Sequence, residues 1–315
     1  MRTGQRWGAG IAALVLTAGC AIVPPAANTT PRRAETVRVQ PAPAPTPTPA
    51  PAAVQRVAQT PQRTGFTYQG AMEQGGAVIG TAPSDTRSLT FDGKEIPVAD
   101  DGRFLIAFDR DHGPSATLVA TLGDGTTVRD TLNVAPRQWK ISRLNSLPRL
   151  SQPTKEFLAL RKPELEQIHA ARAMRTGADG WREHFIWPVE GRVSSVFGSQ
   201  RIYKGGEKGA YHSGVDVAVP TGTPLRAPAD GVVILAADHP FTLEGNLLML
   251  DHGMGLNSAF LHLSKIDVKV GDHVRKGQVI AETGATGRAT GPHVHWSLKW
   301  RDARIDPELM TGPMP

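Results

Sequence analysis

The chain has 315 residues, a formal net charge of +6 and a single cysteine. That length is enough for about two domains, and one cysteine excludes an internal disulfide. Glycine (33) and proline (26) are frequent while aromatic residues make up only 6%, which favours β-rich domains with many turns beside a Pro-rich tract. Basic motifs interleaved with aromatic residues do not occur, so nucleic-acid binding is not expected.

The first residues have the features of an export signal. Arg2 and Arg6 precede a short apolar run over residues 8–18, which is too short to span a bilayer, and residues 1–19 are predicted to be a signal peptide. Leu16-Thr17-Ala18-Gly19-Cys20 resembles a bacterial lipobox, with Thr17 where such boxes usually carry Leu. The resemblance implies lipidation of Cys20; the alternative is an ordinary secretory signal with an incidental cysteine.

Two regions follow the signal peptide. Residues 20–65 form a predicted disordered linker, because the alternating Pro-Ala and Pro-Thr run over residues 41–51 contains no core-forming side chains and favours an extended polyproline II tether. Residues 66–136 are predicted to form a small β-sandwich-like domain of immunoglobulin type, since short apolar runs alternate with Asp-Gly turns such as Asp92-Gly93 and Asp124-Gly125. Its histidine, His112, is interpreted as a surface residue.

Residues 137–180 are predicted to be a basic, partly helical connector. Helical spacing of apolar residues over 151–174 indicates one helix or two short ones, with Pro153 and Pro163 near their starts. Nine Lys or Arg and three Glu lie between residues 136 and 175, whereas residues 181–315 contain 14 of each charge. The basic segment is suited either to anionic lipid or wall polymer, or to a solvated helix surface.

The histidine pattern of the C-terminal region is typical of a metal site. His293 and His295 lie two apart in an apparent strand, which places both imidazoles on one face about 6.6 Å apart. Zinc needs further ligands, and His212 with Asp216 are upstream candidates. Because a straight strand would hold those two residues about 13 Å apart, the chain must turn at Ser213-Gly214.

A further histidine, His262, closes a short apolar strand between these two motifs. With it the pattern is complete, and residues 185–310 resemble the M23 family of zinc metallopeptidases, the LytM and lysostaphin group of peptidoglycan hydrolases. The implied fold is mainly β: residues 181–315 as an antiparallel β-sheet peptidase domain, preceded by the small sandwich and the helical connector. The resemblance implies that His212, Asp216 and His295 bind one Zn²⁺, while His262 and His293 are catalytic residues beside it.

The implied activity is hydrolysis of peptide cross-links in peptidoglycan by metal-activated water. Two imidazoles and a carboxylate leave one zinc position open, as in catalytic sites, and zinc lowers the pKa of bound water toward about 7. No HExxH glutamate is present, so a histidine must be the general base; the sequence does not choose between His262 and His293. A polar, glycine-rich loop over residues 199–211, which contains Tyr203, is expected to rim the groove.

The alternative function is a catalytically silent LytM module that binds and activates a cell-wall amidase. Expected partners are therefore peptidoglycan stem peptides, the membrane through the lipid anchor, and a regulatory or amidase partner. Ala21 after Cys20 favours the periplasmic side of the outer membrane of a Gram-negative cell. The Val270–Ile280 region also resembles lipoyl and biotinyl carrier domains, but no lysine is presented in a Met-Lys-Met-like tip, so only architecture is shared. His252 is predicted to be structural.

Overall fold

A computed structural model describes residues 62–144 and 153–315. The predicted signal peptide, the predicted lipidation site Cys20 and most of the predicted linker lie outside these residues. The described part of the chain is mainly β, with two α-helices. It contains no helix that is both long and apolar enough to cross a bilayer.

Two antiparallel sheets occupy residues 67–133. Their strands are β1 (Thr67–Gly70), β2 (Ala77–Thr81), β3 (Thr86–Phe91), β4 (Lys94–Ile96), β5 (Arg103–Ala107), β6 (Ser115–Leu122) and β7 (Thr127–Asn133). The strand orders are β1-β2-β5 and β4-β3-β6-β7. Leu89 and Phe91 alternate inward on β3, and the following Asp92-Gly93 turn has positive φ at both residues (48° and 76°), as a tight hairpin requires. Buried residues of both sheets belong to one core.

The connector region contributes a strand and a helix. Strand β8 (Ile141–Leu144) pairs in parallel with β10 (Gln200–Tyr203). Helix α1 (Lys155–Ala173) is a single helix of 19 residues that begins where the Thr154 side chain accepts a hydrogen bond from the Phe157 amide. Pro163 lies inside it and does not start a second helix. Its buried residues Ile168 and Ala171 pack on the apolar face of the following sheet.

The C-terminal region is built on an eight-stranded sheet of order β17-β13-β14-β15-β19-β11-β9, with β20 paired to β19. A three-stranded sheet, β12-β18-β16, lies beside it. The elements are β9 (Arg192–Ser195), β11 (Val215–Ala218), β12 (Pro224–Arg226), β13 (Gly231–Ala236), β14 (Asn246–Gly253), β15 (Leu256–Leu263), β16 (Lys265–Ile266), β17 (His273–Val274), β18 (Val279–Glu282), β19 (Val294–Trp300), β20 (Ala303–Ile305) and α2 (Pro307–Thr311).

The N-terminal sheets are joined to the C-terminal region by apolar and ionic contacts. The rings of Phe91 and Trp300 lie 5.9 Å apart in an edge-on arrangement, inside a core cluster that includes buried residues of both regions. Arg137 forms an ion pair with Asp306 at 2.9 Å. Because the contact surface is apolar and continuous with both cores, the two regions share their packing and do not each form a separate core.

Helix α1 is attached to the sheet by a buried carboxylate. Glu164, only 5% exposed, accepts hydrogen bonds from the Thr242 amide (2.6 Å) and the Thr242 hydroxyl (2.7 Å). Arg161 contacts Glu164 at 2.9 Å and Glu244 at 2.6 and 2.7 Å. Burial by itself would raise the pKa of Glu164, but the Thr242 hydrogen bonds and the Arg161 charge outweigh it and hold the pKa below its ordinary value.

We expect Glu164→Gln to lower the free energy of unfolding by about 2–4 kcal/mol, because it leaves Arg161 and Thr242 incompletely paired in a buried site. Urea denaturation at neutral pH measures the loss. Glu166→Gln, on the exposed side of the same helix, is the matched control and should change nothing measurable. Equal stabilities of the two variants would contradict the role assigned to Glu164.

The stability difference between the wild type and Glu164→Gln should also depend on pH. Because the folded pKa of Glu164 is lowered, its stabilisation is present above the unfolded pKa of about 4.3 and is lost as the pH falls through the folded value. Repeating the denaturation between neutral pH and about pH 3 should therefore show the gap narrowing at the acid end. A gap that stays constant or widens toward acid would show that the carboxylate charge is not what matters.

Candidate metal centre and active-site cleft

The pairing of two strands brings the candidate ligands together. Asp216 on β11 lies directly opposite His295 on β19, and His295 is in turn opposite Leu261 on β15. His212 lies in the loop before β11, and the Ser213-Gly214 turn that the sequence predicts separates it from the strand. A Cβ on Gly214 would lie 2.2 Å from the Trp296 carbonyl oxygen and 2.9 Å from His295 Nε2, so this position needs glycine because the two strands approach closely.

Three ligand-type atoms form a compact triangle at this point. His212 Nε2 is 3.0 Å from Asp216 Oδ1 and 3.0 Å from His295 Nδ1, and His295 Nδ1 is 2.9 Å from Asp216 Oδ1. Ligands about 2.0–2.1 Å from a tetrahedral zinc ion are separated by about 3.3 Å. The triangle therefore fits one such ion, and in the described residues these are the only three His, Cys, Asp or Glu side chains grouped closely enough to hold one.

The ring of His212 is oriented by hydrogen bonds on its far side. Its Nδ1 lies 3.1 Å from the Val196 carbonyl oxygen and 3.3 Å from the Ser195 hydroxyl. Because a carbonyl oxygen only accepts, the proton belongs on Nδ1 and the Nε2 lone pair points into the triangle. This arrangement is the one expected of a metal-ligating imidazole.

The side chains of His262 and His293 lie beside the triangle. Their ring centroids are 4.7 Å apart, and His293 Nε2 lies 3.9 Å from Asp216 Oδ1. His262 Nδ1 donates to the Thr286 carbonyl oxygen and His293 Nδ1 to that of Gly291, each at 2.8 Å. In the neutral form of each ring the proton therefore lies on Nδ1, and the bare Nε2 is the atom that can accept a proton.

The backbone of His262 is strained in a way that supports a functional role. Its φ is +66°, in the left-handed region that non-glycine residues rarely adopt. The conformation is held by the His262 amide donating to the Glu244 carbonyl oxygen at 2.8 Å, and by the bond to Thr286. Sequence reasoning did not find Thr286, because it acts through its backbone carbonyl and leaves no side-chain motif.

The pKa values of Asp216, His295 and His262 all lie below their ordinary values. Burial would raise the pKa of the Asp216 carboxyl, but hydrogen bonds and charge from His212 and His295 lower it far below its ordinary value. Burial lowers the pKa of His295 despite the opposing effect of Asp216, and burial likewise lowers that of His262 against the bond to Thr286. At neutral pH the Asp216 carboxylate is therefore ionised, and the lowered pKa values of His295 and His262 favour their neutral imidazole forms.

The five residues open onto a cleft of about 1210 Å³. The 199–211 loop forms one wall, including Tyr203, and the connector contributes Lys140 and Ser142 from the segment around β8. The base of the loop is held by the N-terminal sheets: buried Arg110 donates to the Gly198 carbonyl at 2.9 Å, and the Tyr211 hydroxyl donates to Asp109 at 3.0 Å. The expected rim loop therefore lies at the groove, and residues next to the N-terminal sheets fix its two ends.

His252 and His112 lie outside the cluster, and both pack against other parts of the protein. His252 is fully buried, with Nδ1 2.8 Å from the Asp230 carbonyl and Nε2 2.7 Å from the Ser258 hydroxyl. His112 is half-buried against Phe91 and Phe108, so its interpretation as a surface residue was wrong. A position in a turn did not reveal this packing, which comes from nearby Phe108 and from Phe91 on β3.

Comparison with known proteins gives a consistent result. Residues 210–307 match the model of peptidase family M23. The chain is 40% identical over 130 residues to the peptidoglycan DD-endopeptidase ShyA of Vibrio cholerae, covering 41% of this chain and 30% of ShyA. It is 37% identical over 124 residues to the DD-carboxypeptidase/endopeptidase Mpg of Neisseria meningitidis, covering 39% of this chain and 28% of Mpg. The match thus spans less than a third of either relative.

A solved structure extends the similarity beyond the C-terminal region. A Pseudomonas aeruginosa protein, crystallised as a candidate M23 peptidase, is 30% identical with a TM-score of 0.58. The alignment covers 76% of this chain and 94% of that protein. Because 76% exceeds the share occupied by the family match alone, the similarity includes residues upstream of the peptidase region.

We expect Gly214→Ala to weaken binding of a divalent ion by about 10–100-fold, since the added methyl group collides with the Trp296 carbonyl and pushes His295 out of position. A competitive zinc titration with a chelating dye measures the affinity. Gly291→Ala, near the site but with open space around its Cβ, is the matched control and should bind like the wild type. Unchanged affinity in Gly214→Ala would contradict the steric argument.

Proposed function

This chain belongs to peptidase family M23, and we propose from that premise that it is a zinc-dependent endopeptidase that hydrolyses peptide cross-links of peptidoglycan. The observation that carries the proposal is the triangle of His212, Asp216 and His295 on the floor of the cleft, with two bare imidazole nitrogens beside it. The relatives ShyA and Mpg, named for endopeptidase activity, support the reaction class.

Each residue of the cluster has a distinct proposed role. His212, Asp216 and His295 would hold one Zn²⁺, as two imidazoles and a carboxylate do in catalytic sites. Zinc, when bound, would supply Lewis acidity that polarises a peptide carbonyl. It would also lower the pKa of water, so that water can lose a proton and act as a nucleophile at neutral pH. His262 and His293 transfer protons at Nε2. One of them takes the proton of the attacking water, and the leaving amine receives a proton either from the imidazolium so formed or from the other histidine once it is protonated.

The protein is proposed to act in the cell envelope. Peptidoglycan lies outside the inner membrane, and the export signal predicted over residues 1–19 agrees with that location. Lipidation of Cys20, an anchor in the outer membrane and the extended linker that would carry the enzyme to the wall stay predictions. Amidase activation by a silent module is less well supported, because none of the five family positions is substituted.

His295→Ala should abolish both zinc binding and peptide release from purified wall sacculi, because the mutation removes one of three ligands. We expect about one zinc per wild-type protein, measured by elemental mass spectrometry, and soluble wall fragments whose peptide cross-links have been cut, detected by chromatography. His273→Ala, which replaces an exposed histidine, should behave as the wild type. Release that survives the loss of zinc would contradict a metal-dependent reaction.

His262→Ala and His293→Ala should each retain zinc while lowering kcat by about 10²–10⁴-fold, the usual contribution of a general acid or base. Retained zinc together with a lowered kcat would indicate loss of proton transfer alone, whereas His295→Ala is expected to disrupt metal binding. Zinc content and steady-state kinetics on the same preparations provide the test. Loss of zinc in either variant would instead make that histidine a ligand.

A further inference from the structure

A second cavity, of about 230 Å³, lies between α1 and the sheet next to the cleft. Strand alternation places His295, Ser297 and Lys299 of β19 along one of its walls, and Arg172 of α1 lines it as well. Four residues line both this cavity and the cleft, namely Ser213, Glu244, Leu261 and His295. The cavity is therefore an extension of the space above the cluster.

The charges that line this cavity are unbalanced. Four cationic side chains border it, Arg161, Arg172, Lys299 and Arg304, against the single carboxylate of Glu244. Both oxygens of Glu244 are taken by Arg161, at 2.6 and 2.7 Å. Three positive charges thus have no carboxylate at the cavity wall. The Arg304 guanidinium donates a hydrogen bond to the Tyr211 hydroxyl, at 3.2 Å, and lies over the ring of the same residue.

Arg172 is the most unusual of the three. Its Nη1 is buried and is the one buried side-chain nitrogen or oxygen without a hydrogen-bond partner in the part of the chain that the structure describes. Burial, together with the positive charge of Arg304, lowers the pKa of Arg172 to about 10, although Glu244 opposes the shift. A buried guanidinium donor without an acceptor is costly, and neighbouring positive charges add to the cost.

Lys299 is likewise a charged group in an unfavourable environment, because it is partly buried beside other positive charges. Burial and the charges of Arg172 and Arg304 lower the pKa of its ammonium group. Asp302 and Asp109 act in the opposite direction but do not cancel the effect. A bound anion would give both side chains an acceptor and relieve their mutual repulsion, by charge-assisted hydrogen bonds of the strong kind.

We propose that this cavity binds a free carboxylate of the peptide substrate and so selects acidic peptides, an inference that rests on the proposed endopeptidase function. Lys299 lies four residues beyond His295 on β19, about 13 Å along the strand. An extended peptide covers that distance in about four residues. A peptide with its scissile amide at the cluster therefore reaches Arg172 and Lys299 with a carboxylate a few residues away.

Two matched peptides test the proposal. One is a cross-linked peptide dimer released from wall sacculi, with its free carboxylates, and the other is the same dimer with those groups converted to carboxamides. For the wild-type protein we expect KM to be about 10–100-fold higher for the carboxamide, with kcat little changed, because the lost contacts are hydrogen bonds to charged groups.

The variants Arg172→Met and Lys299→Met should remove this preference, leaving KM values for the two peptides within about twofold. Lys162→Met, on the exposed side of the same helix and outside the cavity lining, is the matched control and should keep it. Arg172→Met should also leave the melting temperature unchanged or higher, because it removes an unpaired buried charge. A purely structural role for Arg172 would lower it.

Equilibrium binding separates the cavity proposal from the proposed endopeptidase function. Calorimetry measures binding of both peptides to zinc-loaded His262→Ala protein and to the His262→Ala, Arg172→Met double variant. Carboxylate preference that disappears with Arg172→Met supports the cavity even if the wild-type protein hydrolyses neither peptide, an outcome that would overturn only the endopeptidase function. Preference that persists in both cavity variants, or no preference in the wild type, overturns the cavity proposal. Inorganic phosphate that binds through Arg172 without any peptide preference would assign the cavity to a free anion and overturn it as well.

Discussion

The antiparallel pairing of β11 with β19 is the constraint on which the site depends. It places Asp216 opposite His295 and so fixes two of three candidate ligands by backbone hydrogen bonds, independently of any ion. His212 completes the triangle because Gly214 permits a close approach that any side chain would block. A one-residue slip in this pairing would turn His295 to the other face of the sheet and remove the site.

The other elements of the chain form the sides of the cleft above that sheet. Helix α1 closes one side through the Glu164 and Arg161 contacts, and the N-terminal region fixes the ends of the 199–211 loop through Arg110 and Asp109. The strain at His262 is maintained by neighbours on two different loops, Glu244 and Thr286. The active-site geometry thus depends on elements that are distant in sequence, and the cleft is a property of the assembled chain.

The features that could be predicted from the sequence are those that depend on local residue pattern and on motif spacing. Short apolar runs between Asp-Gly turns predicted β-structure over residues 66–136. The sequence also named all five histidine and aspartate positions that the structure brings together, four from the spacing of two motifs and His262 from its place at the end of an apolar strand. It missed β1 and β4, which are short or largely exposed, and the parallel pairing of β8 with β10, which joins residues about sixty apart. Thr286 and the cavity at Arg172 were also missed, because a backbone carbonyl and an unpaired buried charge appear only when the tertiary contacts are known.

The most direct test of the account is anomalous X-ray diffraction at the zinc absorption edge, on crystals of the protein purified without chelators. We predict one zinc peak bonded to His212 Nε2, Asp216 Oδ1 and His295 Nδ1, with His262 and His293 near it but not coordinated. A peak that includes His262 or His293 as a ligand would contradict the division into metal-binding and proton-transferring residues. Absence of zinc from these three atoms under the same conditions would contradict the account as a whole.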